Sequence, residues 1–360
     1  MSEWKELITL PEEGDMRVCV IHGPEDLRLE DHAEPELTPG GVKVRIRAGG
    51  ICGSDLHYYF EGRNGDFVIR QPLIPGHEFA GEVAEVGAQV TTVRPGQRVA
   101  VHPGRNCGHC FACREGRGNL CRNVFFMGSA SKFPHMQGGF AEYVAVDESQ
   151  IYPVSSDLPF TTAAFAEPLA VSLHAVERAG PVLGRSVLIT GAGPIGLLVL
   201  LAAKRAGAET ITISDILDEP LGLARSIGAD ATVNVASTPS GLADSTKGMP
   251  GFEVAFEVSG NPAGLGTCLD AVRPGATVVQ VGTLPPGKFP VSGNLVMAKE
   301  IDLRGAMRFD REFGHAVSCL DRGLIDVSPL LTACVPMDEA SGAFALDKQR
   351  DKHSKVQIAF

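Results

Sequence analysis

The chain has no excess of basic residues. Its 360 residues carry 32 lysines and arginines against 43 aspartates and glutamates, a formal net charge of −11 at pH 7. A protein that holds nucleic acid or an anionic membrane by general electrostatics needs the opposite balance. We therefore expect neither nucleic acid nor membrane as a partner, while a locally basic pocket for an anionic small molecule stays possible.

The chain also lacks an uninterrupted apolar segment of membrane-spanning length. Its longest uncharged stretch, residues 186–203, is broken by a Gly-x-Gly-Pro turn, and a spanning helix needs about 20 mostly apolar residues. The first residues are partly acidic and show no apolar core before a small-residue cleavage site, so we expect no secretory signal. We expect a cytoplasmic protein, in which nine cysteines indicate metal ligands or thiols more than disulfides.

One stretch has the layout of a dinucleotide-binding turn. A short aliphatic run is followed by Gly191, Gly193 and Gly196, and an apolar helical run comes next. Gly191 permits the sharp turn, Gly193 lets the backbone approach a pyrophosphate, and Gly196 lets helix and strand pack closely. Free amide groups at the helix start, around Pro194 and Ile195, face the anion. The alternative is a buried strand-to-helix turn of another α/β protein.

A candidate ribose contact follows one strand later. Residues 210–214 predict a strand, and Asp215 comes directly after it. In dinucleotide-binding folds a carboxylate at this distance receives the adenosine ribose hydroxyls. Its negative charge repels the additional phosphate of NADP, so we expect NAD to be preferred over NADP. The alternative for Asp215 is a helix cap.

The chain changes character near residue 157. Before it, short runs of alternating polarity with frequent turns, such as residues 42–47, predict a mainly β region without a long helix. After it, strands and helices alternate, which predicts a parallel sheet covered by helices on both faces. Residues 313–360 predict a helix and a closing strand at 355–360, and we expect this stretch to return to the first region.

Four cysteines lie within fifteen residues of one another, namely Cys107, Cys110, Cys113 and Cys121. Thiolates at two-residue intervals wrap around a tetrahedral zinc, and four of them leave no coordination position open. The cluster therefore predicts a structural zinc site. The alternatives are free thiols, which such density makes redox-labile, an iron–sulfur cluster, and a nucleic-acid-binding zinc ribbon, which the acidic chain disfavours.

A nicotinamide enzyme that oxidises an alcohol needs a group that takes the hydroxyl proton and holds the developing charge. A zinc with an open position supplies both, because it lowers the pKa of bound water from about 16 to about 7 and acts likewise on a bound alcohol. The sequence offers four ligand candidates, which are Cys52, His77, Glu78 and Glu167. Each alone is weak evidence, since a single cysteine is usually core and a His-Glu pair is usually an ordinary surface pair.

Together these motifs resemble the zinc-dependent medium-chain dehydrogenases, from about residue 40 to the end of the chain. Within this family the chain is most similar to the polyol branch, and residues 125–130, 133–135 and 138–140 favour members that oxidise L-idonate. The other segments that carry the resemblance are residues 49–59, 76–78, 107–121, 165–171, 191–196 and 256–260.

The resemblance implies an α/β architecture: a Rossmann domain with a doubly wound parallel sheet, and a mainly β, GroES-like catalytic domain. We expect the catalytic domain at residues 1–160 with a structural zinc lobe at about 102–125, the dinucleotide-binding domain at 161–300, and a return to the catalytic domain at 301–360. The family also implies two zinc ions per chain, NAD as cofactor, and a homotetramer or dimer.

By position, the resemblance makes Cys52 and His77 ligands of the catalytic zinc. Glu78 is a ligand in some members of the family. Glu167 is either a ligand or the acceptor of a zinc-bound water. The sequence alone leaves open which of the two glutamates binds the resting metal.

The resemblance also implies a proton path and further cofactor contacts. Ser54 is expected to take the alcohol proton and to pass it through the ribose hydroxyls to His57, a short relay to solvent. The alternative for His57 is an ordinary loop histidine. Ser259, Val281 and Gly282 are expected near the cofactor.

Arg308 matches the arginine that contacts substrate in the polyol enzymes. A guanidinium suits a multiply hydroxylated chain and also receives a sugar-acid carboxylate through two parallel hydrogen bonds; the alternative is a surface arginine. Tyr58 and Phe126 are expected to line the pocket or to belong to the core. Phe309 stands where sorbitol dehydrogenases tend to carry a tyrosine, which disfavours a simple polyol specificity.

These expectations combine into hydride transfer to NAD from a secondary hydroxyl of an acyclic sugar acid, with L-idonate oxidised to 5-dehydrogluconate. One alternative is the same chemistry on sorbitol, xylitol or a butanediol. Another is a non-catalytic protein that keeps the fold as a binding or structural module.

Overall fold

Two β-sheets organise the computed structural model, which describes residues 16–238, 241–242, 248 and 250–360. One is a seven-stranded sheet built mainly from the first half of the chain, and the other is a six-stranded parallel sheet. The strands are β1 (Met16–Gly23), β2 (Asp26–His32), β3 (Gly41–Gly50), β4 (Arg63–Asn64), β5 (Phe67–Val68), β6 (Glu78–Val86), β7 (Arg98–Val101), β8 (Gly104–Arg105), β9 (Phe125–Phe126), β10 (Tyr143–Asp147), β11 (Ile151–Pro153), β12 (Ser186–Thr190), β13 (Thr210–Asp215), β14 (Ala231–Asn234), β15 (Phe252–Glu257), β16 (Val272–Gln280), β17 (Asp302–Gly305), β18 (Leu331–Pro336) and β19 (Lys355–Ala359).

Helices connect these strands and cover the parallel sheet. Short 3₁₀ turns lie at Gly118–Leu120, Glu148–Gln150, Ser328–Leu330 and Met337–Glu339. The α-helices are α1 (Gly53–Glu61), α2 (Phe111–Arg114), α3 (Phe160–Ala163), α4 (Ala166–Ala179), α5 (Pro194–Arg205), α6 (Asp218–Ser226), α7 (Pro262–Ala271), α8 (Gly293–Ala298), α9 (Glu312–Asp321) and α10 (Ala340–Asp347).

The seven-stranded sheet has the order β11-β7-β6-β3-β19-β18, and β10 pairs with β3 away from this path. In β3 the apolar residues Val42, Val44 and Ile46 are fully buried, as the two-residue period of a strand requires. The closing strand β19 runs antiparallel to β3, with Gln357 opposite Gly50. The C-terminal segment therefore lies beside the strand that leads to Cys52.

The six-stranded sheet has the order β14-β13-β12-β15-β16-β17, and all its neighbouring strands are parallel. This is a doubly wound sheet whose strand order reverses between β12 and β15, where ligands bind beyond the carboxyl ends of the strands. The predicted α/β class with a parallel sheet is confirmed. The sheet extends past the predicted boundary at residue 300, to Gly305.

A continuous apolar core joins the two sheets. Helix α5 is apolar on nearly all sides, and its residues Leu197 to Leu200 are fully buried against the parallel sheet. Small side chains on the other sheet, Ala48, Ala80 and Ala100, belong to the same core as α3 and α4. These alanines let the helices pack closely, so one apolar core is shared by both sheets.

Helix α1, with nine residues, is a short helix in the region for which the sequence predicts mainly β structure and no long helix. Its start is fixed by the Asp55 carboxylate, which accepts the backbone N–H of Cys52 at 3.0 Å, and its end by Gly62 at φ 66°. Helices this short are stabilised by tertiary packing rather than by propensity, which explains why periodicity missed it. Across the described residues, none of the helices has the length and apolar content that a bilayer crossing requires.

Candidate active site and metal centres

Strand pairing brings three ligand-type side chains together. Cys52 follows β3, His77 precedes β6, and these two strands are neighbours with Gly50 opposite Glu78. One donor atom from each of Cys52, His77 and Glu78 lies within 4.8 Å of the other two. A sulfur, a nitrogen and an oxygen at this spacing match a zinc site with three protein ligands, which leaves the fourth position open.

A buried carboxylate fixes these ligands relative to one another. Asp55 Oδ2 accepts the N–H of Cys52 at 3.0 Å, and its Oδ1 accepts the N–H of Gly76 at 3.2 Å. The same Oδ1 lies 3.7 Å from Nδ1 of His77. One side chain therefore ties together the two loops that carry the sulfur and nitrogen donors. Sequence reasoning missed Asp55, although an acidic residue three positions after a helix start is a capping signal.

Two glycines leave room for the cluster. Gly76 has φ 92°, and a Cβ there would lie 2.2 Å from Cδ1 of Phe140. A Cβ on Gly50 would lie 2.3 Å from Oε2 of Glu78. A larger residue at either position would displace a side chain that supports the site.

The Glu78 carboxylate is buried and only partly compensated. Its Oε2 forms an ion pair with Nζ of Lys355 without regular hydrogen-bond geometry, and Oε1 has no hydrogen-bond partner among the described residues. Lys355 also donates to the carbonyl of Ile51 at 2.7 Å. A buried carboxylate oxygen without a partner is costly, so Oε1 fits a position beside a further cation. Lys355 is a second residue that sequence reasoning missed.

The thiol of Cys52 and the carboxyl of Glu167 are both held toward their neutral forms. Burial and the nearby Glu78 charge raise the pKa of Cys52 to about 12. Burial raises the pKa of Glu167 to about 8, against the opposing effect of His77. Glu167 lies in the first turn of α4 and is not part of the group within 4.8 Å. The structure thus brings Glu78, rather than Glu167, together with Cys52 and His77.

An aromatic ring connects this cluster to Arg308. The Phe126 ring centroid lies 5.6 Å from that of His77, and Cζ of Arg308 lies 4.2 Å from the Phe126 centroid. Burial lowers the pKa of Arg308, which Glu167 and Tyr58 oppose. Within the described part of the chain, Arg308 has no ion pair with a carboxylate. The Arg308 guanidinium is therefore partly buried beside the ligand cluster and carries a charge that no carboxylate among the described residues balances.

The two other aromatic candidates have structural contacts. Tyr58 is buried, and its hydroxyl accepts the N–H of Ala130 at 3.0 Å. Phe309 is also buried, and its ring packs against His102 with centroids 4.9 Å apart. Both side chains therefore belong to the buried core.

The glycine turn has the close approaches that its sequence predicts. Gly191 has φ 96°, and its N–H donates to the carbonyl of Ser214 at 2.7 Å. A Cβ on Gly196 would lie 1.9 Å from the carbonyl oxygen of Gly191. Gly193 is the N-cap of α5, and Pro194 and Ile195 begin the helix. The amide groups of this helix start face the cleft described below.

Asp215 ends β13 beside this turn. Its Oδ2 accepts the N–H of Ala192 at 2.7 Å, and its Oδ1 accepts the N–H groups of Ile216 and Leu217 at 2.7 and 3.2 Å. Nη2 of Arg350 lies 3.4 Å from Oδ2. Arg350 is a third residue that sequence reasoning missed, because it is 135 positions away in the chain.

The remaining predicted cofactor residues surround Glu257 at the end of β15. The Ser259 hydroxyl donates to Oε1 of Glu257. The N–H groups of Val281 and Gly282 both donate to the Glu257 carbonyl at 2.9 Å. A Cβ on Gly191 would lie 2.7 Å from the nitrogen of Ser259, so this corner lies directly against the glycine turn.

We call Cys52, His77 and Glu78 the mixed-donor cluster. One cleft of about 690 Å³ runs between this cluster and the glycine turn. Cys52 and Glu78 lie at one part of its wall, and Gly191, Asp215 and Ser259 at another. This volume is in the range of cofactor and small-ligand pockets. Several of the predicted site residues do not line this cleft, among them Ser54, His57, Tyr58, Phe126 and Arg308. His57 is exposed instead, with Nδ1 2.9 Å from Oε1 of Glu61.

The four predicted cysteines form a second cluster. Their sulfur atoms all lie within 4.8 Å of one another, with separations of 3.5 Å for Cys107 and Cys121, 3.5 Å for Cys110 and Cys113, and 4.0 Å for Cys107 and Cys113. Four thiolates at about 2.3 Å from a tetrahedral zinc are about 3.8 Å apart, so the spacing fits that ion. The backbone N–H of His109 lowers the pKa of Cys107 to about 6, whereas desolvation raises that of Cys113 to about 12.

The cysteine lobe contacts the segment around Arg308. The N–H of Gly118 donates to Oδ2 of Asp310 at 2.8 Å, and Nδ2 of Asn119 donates to the carbonyl of Met307 at 2.9 Å. Arg308 itself has φ 52°, a left-handed conformation that an arginine adopts only when its surroundings hold it. The lobe therefore supports the backbone on both sides of Arg308.

Two family models match the chain. Residues 38–156 match the alcohol dehydrogenase GroES-like domain, and residues 194–322 match the zinc-binding dehydrogenase model. The first match covers five strands of the seven-stranded sheet and both ligand clusters. The second begins in the glycine turn.

Known proteins match over nearly the whole chain. L-idonate 5-dehydrogenase (NAD(P)(+)) of Escherichia coli strain K12 is 40% identical, over 95% of this chain and 98% of its own. Sorbitol dehydrogenase of Bacillus subtilis strain 168 is 35% identical, over 93% and 94%. A crystal structure of L-idonate 5-dehydrogenase from Escherichia coli K-12 MG1655 superposes with a TM-score of 0.88 at 39% identity, over 96% and 98%.

These matches confirm the predicted family, its two-part fold, and zinc and a nicotinamide dinucleotide as the family's cofactors. Identities of 40% over 343 residues and 35% over 340 residues establish common descent. The chain belongs to the zinc-binding medium-chain dehydrogenases, in their polyol dehydrogenase branch.

Proposed function

We propose that this protein oxidises a secondary alcohol of an acyclic sugar acid with NAD, and that L-idonate is converted to 5-dehydrogluconate. The observation that carries the substrate class is Arg308, a largely desolvated guanidinium without a carboxylate partner among the described residues, stacked on Phe126 beside His77. A sugar-acid carboxylate neutralises such a group and pairs with it through two parallel charge-assisted hydrogen bonds, whereas the hydroxyls of a polyol offer it only neutral acceptors. The 40% identical L-idonate relative supports the same choice.

Cys52, His77 and Glu78 would hold the catalytic zinc, and the four cysteines of the lobe a structural one. When bound, the catalytic ion lowers the pKa of a coordinated alcohol, and the dinucleotide supplies the hydride acceptor. Asp55 holds the loops of Cys52 and His77 in fixed positions relative to each other. Glu167 is positioned to hold or release a proton near neutral pH beside the cluster, because burial raises its pKa to about 8.

Ser54 and His57 remain the proposed path for the alcohol proton. Ser54 lies in the first turn of α1, two positions after Cys52, and His57 lies one turn further on the exposed side. The His57 imidazole contacts Glu61 and solvent, so it can exchange a proton with water. A dinucleotide held at the glycine turn would supply the ribose hydroxyls of this path.

The dinucleotide is proposed to lie across Gly191, Gly193 and Gly196, with its adenosine ribose at Asp215. We further propose that residues 161–305, which contain the parallel sheet, form the dinucleotide-binding part, that residues 1–160 and 306–360 form the catalytic part, and that closure of the cleft excludes water. The expected oligomer, a homotetramer or dimer, is checked by light scattering.

A substrate panel tests the proposal. Formation of reduced nicotinamide by the zinc-loaded protein is measured with L-idonate, sorbitol, xylitol and 2,3-butanediol, each with NAD and with NADP. We expect L-idonate with NAD to give the highest kcat/KM. Arg308→Ala should lower kcat/KM for L-idonate about 100-fold, because a charge-assisted contact is lost, and that for sorbitol much less. Arg311→Ala, which removes an exposed arginine paired with Glu177, is the matched control.

The outcomes separate the alternatives. Preference for sorbitol, xylitol or butanediol would reject the sugar-acid assignment and favour a polyol dehydrogenase, as the 35% identical sorbitol relative would suggest. No turnover of any substrate by protein with both zinc sites filled would reject the dehydrogenase activity itself. It would favour a binding protein of the same fold.

A further inference from the structure

Arg350 reaches across the cleft to the glycine turn. It follows α10 in the segment that leads into β19, a strand of the seven-stranded sheet. Its Nη2 lies 3.4 Å from Oδ2 of Asp215, and a Cβ on Gly193 would lie 3.3 Å from the same nitrogen. The guanidinium therefore covers the space between the start of α5 and the end of β13, although both elements belong to the other sheet.

The Asp215 carboxylate is fully engaged while Arg350 is in this position. Oδ1 accepts the N–H groups of Ile216 and Leu217, and Oδ2 accepts that of Ala192 and contacts Arg350. Each carboxylate oxygen has two acceptor positions, so none is left for a ribose hydroxyl. A hydroxyl can donate to Asp215 only when one of these partners withdraws. Three of the partners are backbone groups of the fold, and Arg350 is the one on a long, half-exposed side chain.

We propose that Arg350 is a cofactor-binding residue that leaves Asp215 when the dinucleotide enters and pairs with its diphosphate. The exchange frees Oδ2 for the ribose and gives the anion a cation from the opposite side of the cleft. It also links the C-terminal segment to the nucleotide held by the parallel sheet. The inference rests on the proposed function, since it requires a dinucleotide at the glycine turn.

The position of the guanidinium favours the diphosphate over an additional ribose phosphate. Arg350 approaches the carboxylate oxygen that also binds Ala192, on the side of the glycine turn. The other oxygen, which faces Ile216 and Leu217, lies toward the loop after β13. The start of α5 already attracts anions through its free amide groups, and Arg350 adds a full positive charge to that same point.

Calorimetric binding of nucleotide fragments to the full chain tests the proposal without any turnover. The probes are adenosine, ADP-ribose and 2′-phospho-ADP-ribose. Arg350→Ala should weaken ADP-ribose about 10-fold or more, because a charge-assisted contact is lost, and should not weaken adenosine, because Arg350 no longer occupies the Asp215 carboxylate that receives the ribose. Arg350→Lys should recover part of the loss. Lys348→Ala is the matched control, since it removes a positive charge two positions away that faces the Phe60 ring.

Each outcome decides one point. Equal affinity of the wild type and Arg350→Ala for ADP-ribose would overturn the role of Arg350. Loss of 2′-phospho-ADP-ribose binding alone would assign Arg350 to the ribose phosphate instead and overturn the diphosphate contact. Failure of the wild type to bind ADP-ribose would reject the nucleotide site of the proposed function. Adenosine binding by Arg350→Ala at or above the wild-type affinity shows that the variant is folded, and Arg350→Gln provides a second neutral variant.

Discussion

The mixed-donor cluster and the cysteine cluster offer ligands to a metal in opposite ways. Cys107, Cys110, Cys113 and Cys121 come from one short segment, and only Cys121 is buried. Cys52, His77 and Glu78 come from two segments joined by strand pairing, next to a cleft. Four sulfur donors close a tetrahedral site, whereas three donors of different chemistry leave a position for a substrate oxygen.

The surroundings of the two clusters differ as much as their ligands. The mixed-donor cluster is supported by two buried charged groups, Asp55 and Lys355. Gly50 and Gly76 also support it, because a Cβ at either position would clash with a neighbouring side chain. The cysteine cluster is supported by its own backbone N–H groups, such as that of Asn123 toward Sγ of Cys121 at 3.3 Å. A structural site can therefore be local, while a reactive site depends on the tertiary fold.

The largest expected effect comes from removing one ligand of each cluster. Cys52→Ser should lower the rate of NADH formation about 10³-fold or more, because metal polarisation contributes several kcal/mol to the reaction. Cys110→Ser should keep most of the turnover at low temperature but lower the Tm by about 5 °C or more, because a structural metal stabilises the fold. Steady-state rates and thermal unfolding check both, and the comparison fails if the two variants behave alike.

A smaller effect is expected from Asp55→Asn. The amide keeps one acceptor but turns its NH₂ group toward one of the two backbone N–H donors, of Cys52 or Gly76. The catalytic metal should then bind about 10- to 100-fold more weakly, as for other residues that orient metal ligands. Competition with a chelator measures this, with the exposed Asp66→Asn as control. Unchanged affinity would show that Asp55 does not position the site.

The smallest effect tests whether the cysteine lobe also serves the active site. Asn119→Ala removes the hydrogen bond to the Met307 carbonyl, next to Arg308. We expect KM for L-idonate to rise about 2- to 10-fold with kcat unchanged, which corresponds to one hydrogen bond. Asn123→Ala, on the same lobe, is the control. A fall in kcat without a change in KM would contradict a role in positioning Arg308.

The sequence predicted the features that depend on short segments. The glycine turn, its strand and its helix lie within about twenty residues, and the four cysteines are closer still, so spacing alone carries their geometry. The alternation of strands and helices predicted the parallel sheet for the same reason. The pairing of Cys52 with His77 and Glu78 was predicted only through family resemblance.

The contacts that sequence reasoning missed join distant positions. Asp55 binds Gly76, Arg350 binds Asp215 and Lys355 binds Ile51, across 21, 135 and 304 positions. Nothing in the local pattern around Lys355 or Arg350 distinguishes them from surface residues. The pairing of His57 with Glu61 is local, but it depends on helix α1, which the sequence did not predict.

The most direct test of two metal centres with separate functions is the zinc content of the intact protein, counted by native mass spectrometry. We expect two zinc ions per chain in the wild type and one in each of Cys52→Ser and Cys110→Ser, with turnover abolished only in the first. A wild type that binds a single zinc, or a Cys52→Ser variant that keeps two zinc ions and full turnover, would contradict this account.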